Sequence, residues 1–92
     1  MTAQTPAGVE GLAARIESET GFNNELDVLA EIALFEPDDI WRAIRANAAG
    51  TKIICTDDCG GEKTFIARDF TISAAARQRT VAALRARAQT PQ

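Results

Sequence analysis

The sequence predicts an α+β fold: two N-terminal helices, a small antiparallel sheet of two or three strands in a meander, and a C-terminal helix. Three observations carry this. Apolar residues at helical spacing run from Val9 to Phe35, and β-branched residues gather at Thr51–Thr56. A turn signal, Asp57-Asp58-Cys59-Gly60-Gly61, then separates that run from a second one at Lys63–Phe70. A chain of 92 residues suits one domain, expected over 1–92 with frayed ends at about 1–6 and 89–92. The 46% apolar and 25% charged shares are those of an ordinary globular protein.

In chain order, Thr5-Pro6 opens the first helix: Thr can cap, and Pro is tolerated at the first helical position. Val9, Leu12, Ala13 and Ile16 fall at i, i+3, i+4 and i+7, a single apolar stripe. Gly21 is a candidate left-handed stop. Asn23 or Asn24 caps the second helix, with Glu25 and Asp27 in the first turn, where the helix dipole favours acids. Leu26, Val28, Leu29, Ile32, Ala33, Leu34 and Phe35 cover most of its circumference. That marks a helix with neighbours on more than one side, with Leu29 and Ile32 as expected core positions. Its polar side narrows to a strip through Asn24, Asp27 and Glu31, and Pro37 ends it.

Ile40–Ala46 fits either a helix or a strand. A hairpin of two strands is marginal alone and must pack on the helices or gain a third strand, which leans toward the latter. Asn47-Ala48-Ala49-Gly50 suits a turn, and would equally end a helix at Gly50. Ile53 and Cys55 share one face of the next strand, as do Phe65 and Ala67 of the strand after it. Ser73 can cap a last helix running to about Ala88, whose apolar face is the thin row Val81, Leu84 and Ala88. Arg85 and Arg87 complement the negative end of its dipole.

The net charge of −3 conceals an asymmetry. Residues 1–40 hold nine acids and one base, residues 41–92 nine bases and four acids, or −8 and +5. Opposite halves of one small domain can neutralise each other, or the acidic half can present a face to a basic partner. No basic leader with an apolar run opens the chain, and no stretch approaches the span of a bilayer. A cytoplasmic protein without membrane contact is expected.

Chemistry finds little to work with. There is no His, so no nucleophile stands beside an ordinary base, and no glycine loop precedes a helix to cradle phosphate. Cys55 and Cys59 fall short of the four ligands of a closed zinc site. Their spacing of three intervening residues differs from the two of a thioredoxin-like motif. The acids Glu25, Asp27, Glu31, Asp38 and Asp39 lack the alternation and closing Glu of a calcium loop. No cofactor and no catalysis are expected. A helix-turn-helix reading of residues 12–34 fails because the second helix carries acids and no base, which phosphates repel. Trp41, beside Arg42 and Arg45, suits either a partner-binding hot spot or sheet packing.

Two segments carry a resemblance. Leu12–Ala33 (LAARIESETGFNNELDVLAEIA) resembles the opening of small uncharacterised proteins of bacterial phages and prophages, a helix, a Gly-containing turn and a helix beginning Glu-Leu-Asp. Arg79–Ala88 (RTVAALRARA) resembles their closing helix. The central Ser-x-Asp-Ala-Ala segment and Pro-Glu-Gly turn of that group are missing here. The group brings no functional residues, and the resemblance implies a context in which small acidic proteins bind host or phage proteins.

The expectation is therefore a non-catalytic accessory protein that binds another protein through an acidic N-terminal face. Glu17, Glu19, Asp27, Glu31, Asp38, Asp39 and Trp41 are its candidate contacts. One alternative is inhibition of a host nucleic-acid enzyme such as a CRISPR complex, by DNA-like charge. A second is nucleic-acid binding through Lys52, Lys63, Arg68 and the C-terminal arginines, which their dispersal disfavours.

Overall fold

The computed structural model describes residues 6–89. Helices α1 (Pro6–Glu17) and α2 (Asn24–Ala33) come first. Strands β1 (Trp41–Ala46), β2 (Ile53–Asp57) and β3 (Glu62–Phe65) follow, then helix α3 (Ala74–Gln89). The α+β class and the meander are as expected. The strands lie in the order β1-β2-β3, each pair antiparallel. Residues 40–46 resolve toward the strand, with Ile40 just outside it. The Thr5 cap and most of the expected fraying lie outside the described residues, while Pro6 and Gln89 are helical.

Two cores flank α2. On one side Leu26, Ala30 and Ala33 join Val9, Leu12, Ala13 and Ile16 of α1 and Val81 and Leu84 of α3. On the other, Val28 meets Ile53 and Cys55 of β2 and Ala67, with Ile32, Trp41, Ile44, Ala46 and Phe65 packed around them. Burying each large aliphatic side chain contributes about 1.5–3 kcal/mol, so both cores depend on α2. Leu29 and Ile32, expected as core positions, are only half-buried, whereas Leu26 and Val28 are sealed. In the sheet, Ile44, Cys55 and Lys63 stand in one cross-strand row and Ala46, Ile53 and Phe65 in another. Trp41 meets Phe65 edge-on, with ring centroids 5.6 Å apart. The register shift between Trp41 and Ala43 kinks the start of β1.

Element ends differ from expectation for local reasons. Gly21 does not take the left-handed conformation; among the described residues only Gly50 and Gly60 do. The chain leaves α1 instead through Ser18, whose hydroxyl donates to the Arg15 carbonyl, and through the Glu19 N–H donated to Ile16 O. Asn23 is the N-cap of α2, its Oδ1 accepting from Leu26 N–H. The helix stops at Ala33 rather than Phe35 because the Phe35 N–H turns to Ile32 O, one residue short of the helical partner. Strand β2 starts at Ile53 rather than Thr51, since Asn47 Oδ1 accepts from the Thr51 and Lys52 N–H groups and holds both in the turn. Strand β3 ends at Phe65 rather than Phe70, because the chain beyond it runs along α2. Ser73 caps α3 as expected, accepting from Ala76 N–H.

Candidate functional site

Residues 66–73 connect β3 to α3 without regular structure. Backbone N–H and C=O groups removed from water need partners, and here side chains supply them. Arg68 N–H donates to Glu31 Oε1 at 3.1 Å, and Thr71 N–H to Asp27 Oδ1 at 2.9 Å. The Phe70 carbonyl accepts from the Thr80 hydroxyl, the Thr71 carbonyl from Arg77 Nη1. Asp27, Glu31, Thr71 and Thr80 are the buried polar or charged residues among those described, and all four serve this connection.

The expected solvated strip on α2 is thereby corrected. Asp27 and Glu31, one turn apart, face inward onto the connection because its backbone donors lie there. Glu31 also grips the Arg68 guanidinium, with Nη2 2.6 Å from Oε2. Burial pushes the Glu31 carboxyl up, yet the hydrogen bonds and charge of Arg68 outweigh it and hold it below its ordinary value. Asp27 has no such cation. It is 0% exposed, and its Oδ1 also accepts from the Thr71 hydroxyl at 2.9 Å. Its Oδ2 is buried with no hydrogen-bond partner. Burial raises the Asp27 carboxyl, hydrogen bonds from Thr71 and, least of all, the Phe70 N–H offset part of that, and the charge of Asp69 adds to it. The same Thr71 hydroxyl accepts from Asn23 N–H at 2.8 Å, tying the α1–α2 turn into the knot.

The other expected contacts disperse. Glu17 lies beside Arg85, which spans to Glu10 as well. The Arg85 hydrogen bond holds the Glu17 carboxyl down. Glu19 Oε2 accepts from Asn23 Nδ2, and Glu19 and Glu17 line one groove of about 390 Å³ with Arg77, Gln78 and Val81. Asp38 organises the approach to β1: its Oδ1 accepts from the Ile40 and Trp41 N–H groups, which hold its carboxyl below the ordinary value. Asp39 is exposed, and Trp41 is half-buried against the sheet. Glu10, Glu17, Glu31 and Glu36, four of the nine acids of the first half, pair with arginines of the second half, so the charge asymmetry is partly offset within the fold.

Four large apolar side chains are exposed among the described residues, Ile66 and Ile40 most of all; the other two, Phe22 and Ile72, lie at a junction that sequence reasoning missed. Phe22 is 55% exposed and Ile72 57% exposed. Their neighbours Asn23 and Thr71 are bonded to each other, which brings the α1–α2 turn against the start of α3. In sequence they flank Glu19 and Ala74, both lining the groove. An aromatic in a polar interhelical turn was the available signal for Phe22; nothing marked Ile72.

At the β2–β3 tip, Asp57, Asp58 and Cys59 place three donor atoms within 4.8 Å of one another. Asp57 Oδ1 already accepts from the Cys59 and Gly61 N–H groups, a turn role, and three solvent-side donors fall short of a closed zinc site. Cys55 and Cys59 are free thiols; burial pushes the Cys55 thiol up, further from the reactive thiolate. Among the described residues no helix is long and apolar enough to cross a membrane. No protein-family model, curated protein or solved structure matches the chain.

Proposed function

We propose that this chain is a small non-catalytic protein-binding module. Its contact surface lies where the α1–α2 turn meets the start of α3. The carrying observation is the pair of exposed apolar side chains, Phe22 and Ile72, at backbone neighbours that hydrogen-bond to each other. Exposed large apolar groups beside a polar rim are the usual anatomy of a contact site. Glu17, Glu19, Arg77 and Gln78 supply that rim. Glu19 Oε2 is occupied by Asn23, which leaves Oε1 for a basic group of the partner. The partner surface that fits is an apolar side chain next to a lysine or arginine.

This reading keeps Glu17 and Glu19 from the expected acidic face and moves the emphasis to apolar anchors. Pairing of Glu10, Glu17, Glu31 and Glu36 with arginines offsets nearly half of the acids of the first half. It therefore favours an anchored contact over DNA mimicry toward a host nucleic-acid enzyme. The test is affinity capture from host lysate with the native protein, a Phe22→Ser/Ile72→Ser double variant and Glu19→Lys. Proteins held by the native chain and lost by both variants, with the variants still folded, support the site. An unchanged set of captured proteins refutes it.

A further inference from the structure

Asp27 is the one buried carboxylate among the described residues that faces no cation. Every element around it presents other chemistry. On α2 its neighbour Glu31 is taken by Arg68. The connection brings Thr71 as donor and Asp69 as a like charge. From α3, Arg77 reaches the Thr71 carbonyl rather than the carboxylate. From the end of α1, Glu19 is bound to Asn23. The sheet contributes Cys55 to the core below Val28. A carboxylate with one oxygen on two donors and the other sealed without a partner is costly when ionised and much less so when protonated.

We propose that proton binding at Asp27 closes a latch between α2 and the 68–71 connection, and that this latch regulates the contact surface at Phe22 and Ile72. The second half of this statement rests on the functional reading above; the first does not. The knot Asn23–Thr71–Asp27 is what holds the two segments bearing Phe22 and Ile72 together. With the connection released, Asp27 reaches water and reverts to ordinary aspartate behaviour. The closed latch thus binds the proton more tightly than the open one, because the closed-state carboxyl is raised. Linkage gives the sign: acidification closes the latch, and raising the pH loosens it. The window opens at the ordinary aspartate value of about 3.9 and extends upward to the closed-state value. Glu31 responds oppositely, since its carboxyl is held down by Arg68 and that clasp fails only at lower pH.

The experiment is an NMR pH titration of the native protein and of Asp27→Asn. It follows the Thr71 amide shift and its hydrogen-exchange protection corrected for intrinsic rate. The native Thr71 amide is expected to titrate with a midpoint above the ordinary aspartate value. Its protection should rise on acidification by up to about tenfold per pH unit within the window. In Asp27→Asn both responses should vanish while the rest of the spectrum stays folded. Identical profiles in the two proteins, or a native midpoint at or below the ordinary value, overturn the latch. Capture of the partner by the native protein at pH 5 and 7 separates the two readings. Binding that needs Phe22 and Ile72 but ignores this pH change in the native chain overturns the regulatory link. A titrating latch with capture indifferent to Phe22 and Ile72 overturns the contact site and, with it, the regulation, and leaves the latch standing.

Discussion

Two leucines of α2 offer a controlled comparison, because the chemistry removed is the same and only the surroundings differ. Leu26 is sealed at 1% exposure between α1 and α3, whereas Leu29 is half-buried. Leu29 borders an open groove of about 310 Å³ with Gly8, Gly11, Leu12 and Arg15. Truncating a sealed leucine costs the transfer of its methyl groups plus the cavity left behind, about 2–5 kcal/mol in all. At Leu29 the vacated space joins the groove and fills with water, so the cavity part disappears. Part of the transfer part disappears too, which leaves about 1–2 kcal/mol. A domain of this size has roughly 5–14 kcal/mol in total, so Leu26→Ala removes a large share of it. In urea, with a slope of about 1–3 kcal/mol per molar, Leu26→Ala should lower the midpoint by roughly 0.7–5 M and Leu29→Ala, at the same slope, by about half of that or less. Equal losses, or a larger one at Leu29, would show that α2 is not packed between α1 and α3 as described.

Other perturbations test the connection and the hairpin. Asp27→Asn should be at least as stable as the native protein at pH 7 in thermal melts, because it removes a burial cost that the native carboxyl carries above its raised value. On acidification from neutral pH the native protein should gain on the variant until the ordinary aspartate value is reached; a native protein that loses ground instead contradicts the sign. Arg68→Ala leaves Glu31 with the backbone N–H of residue 68 but without its cation. Because the Arg68 side chain is 74% exposed, the loss should be roughly 1–2 kcal/mol by denaturant melts, below that of a sealed pair. Gly61→Ala puts a Cβ 2.7 Å from Asp57 Oδ2, which must swing away from the turn it holds. About 1–2 kcal/mol of stability should go with those hydrogen bonds, and an unchanged melting temperature would show that the carboxylate moves freely.

The fold was legible to the extent that it is local. Ser73 declares its cap, the Asn23-Asn24 pair narrows the cap of α2 to two residues, and the apolar circumference of α2 marks its central place. The third strand was favoured over a helix only by a negative argument, that a hairpin is marginal alone. The inward turn of Asp27 and Glu31 was not legible. Two carboxylates at i and i+4 read as a solvated strip until their partners are known, and those partners, the backbone donors of Thr71 and Arg68, stand 44 and 37 residues further along. For the same reason the connection looked like a strand: its residues have β-forming side chains, but its N–H groups go to side chains instead of a neighbouring strand. The candidate contact site was the least visible, since the segments bearing Phe22 and Ile72 are joined through a hydrogen bond from Asn23 to Thr71 that spans 48 residues.

The pairing of α1 with α3 has a consequence for biosynthesis. The stripe Val9, Leu12, Ala13 and Ile16 is covered by Val81 and Leu84. The ribosome makes these about seventy residues later, a delay of roughly 3–14 s at bacterial or eukaryotic elongation rates. Until then the apolar stripe of α1 is covered only in part, by Leu26, Ala30 and Ala33 of α2. A chaperone that binds exposed aliphatic stripes would meet this protein during that interval, and release would be timed by the emergence of Leu84.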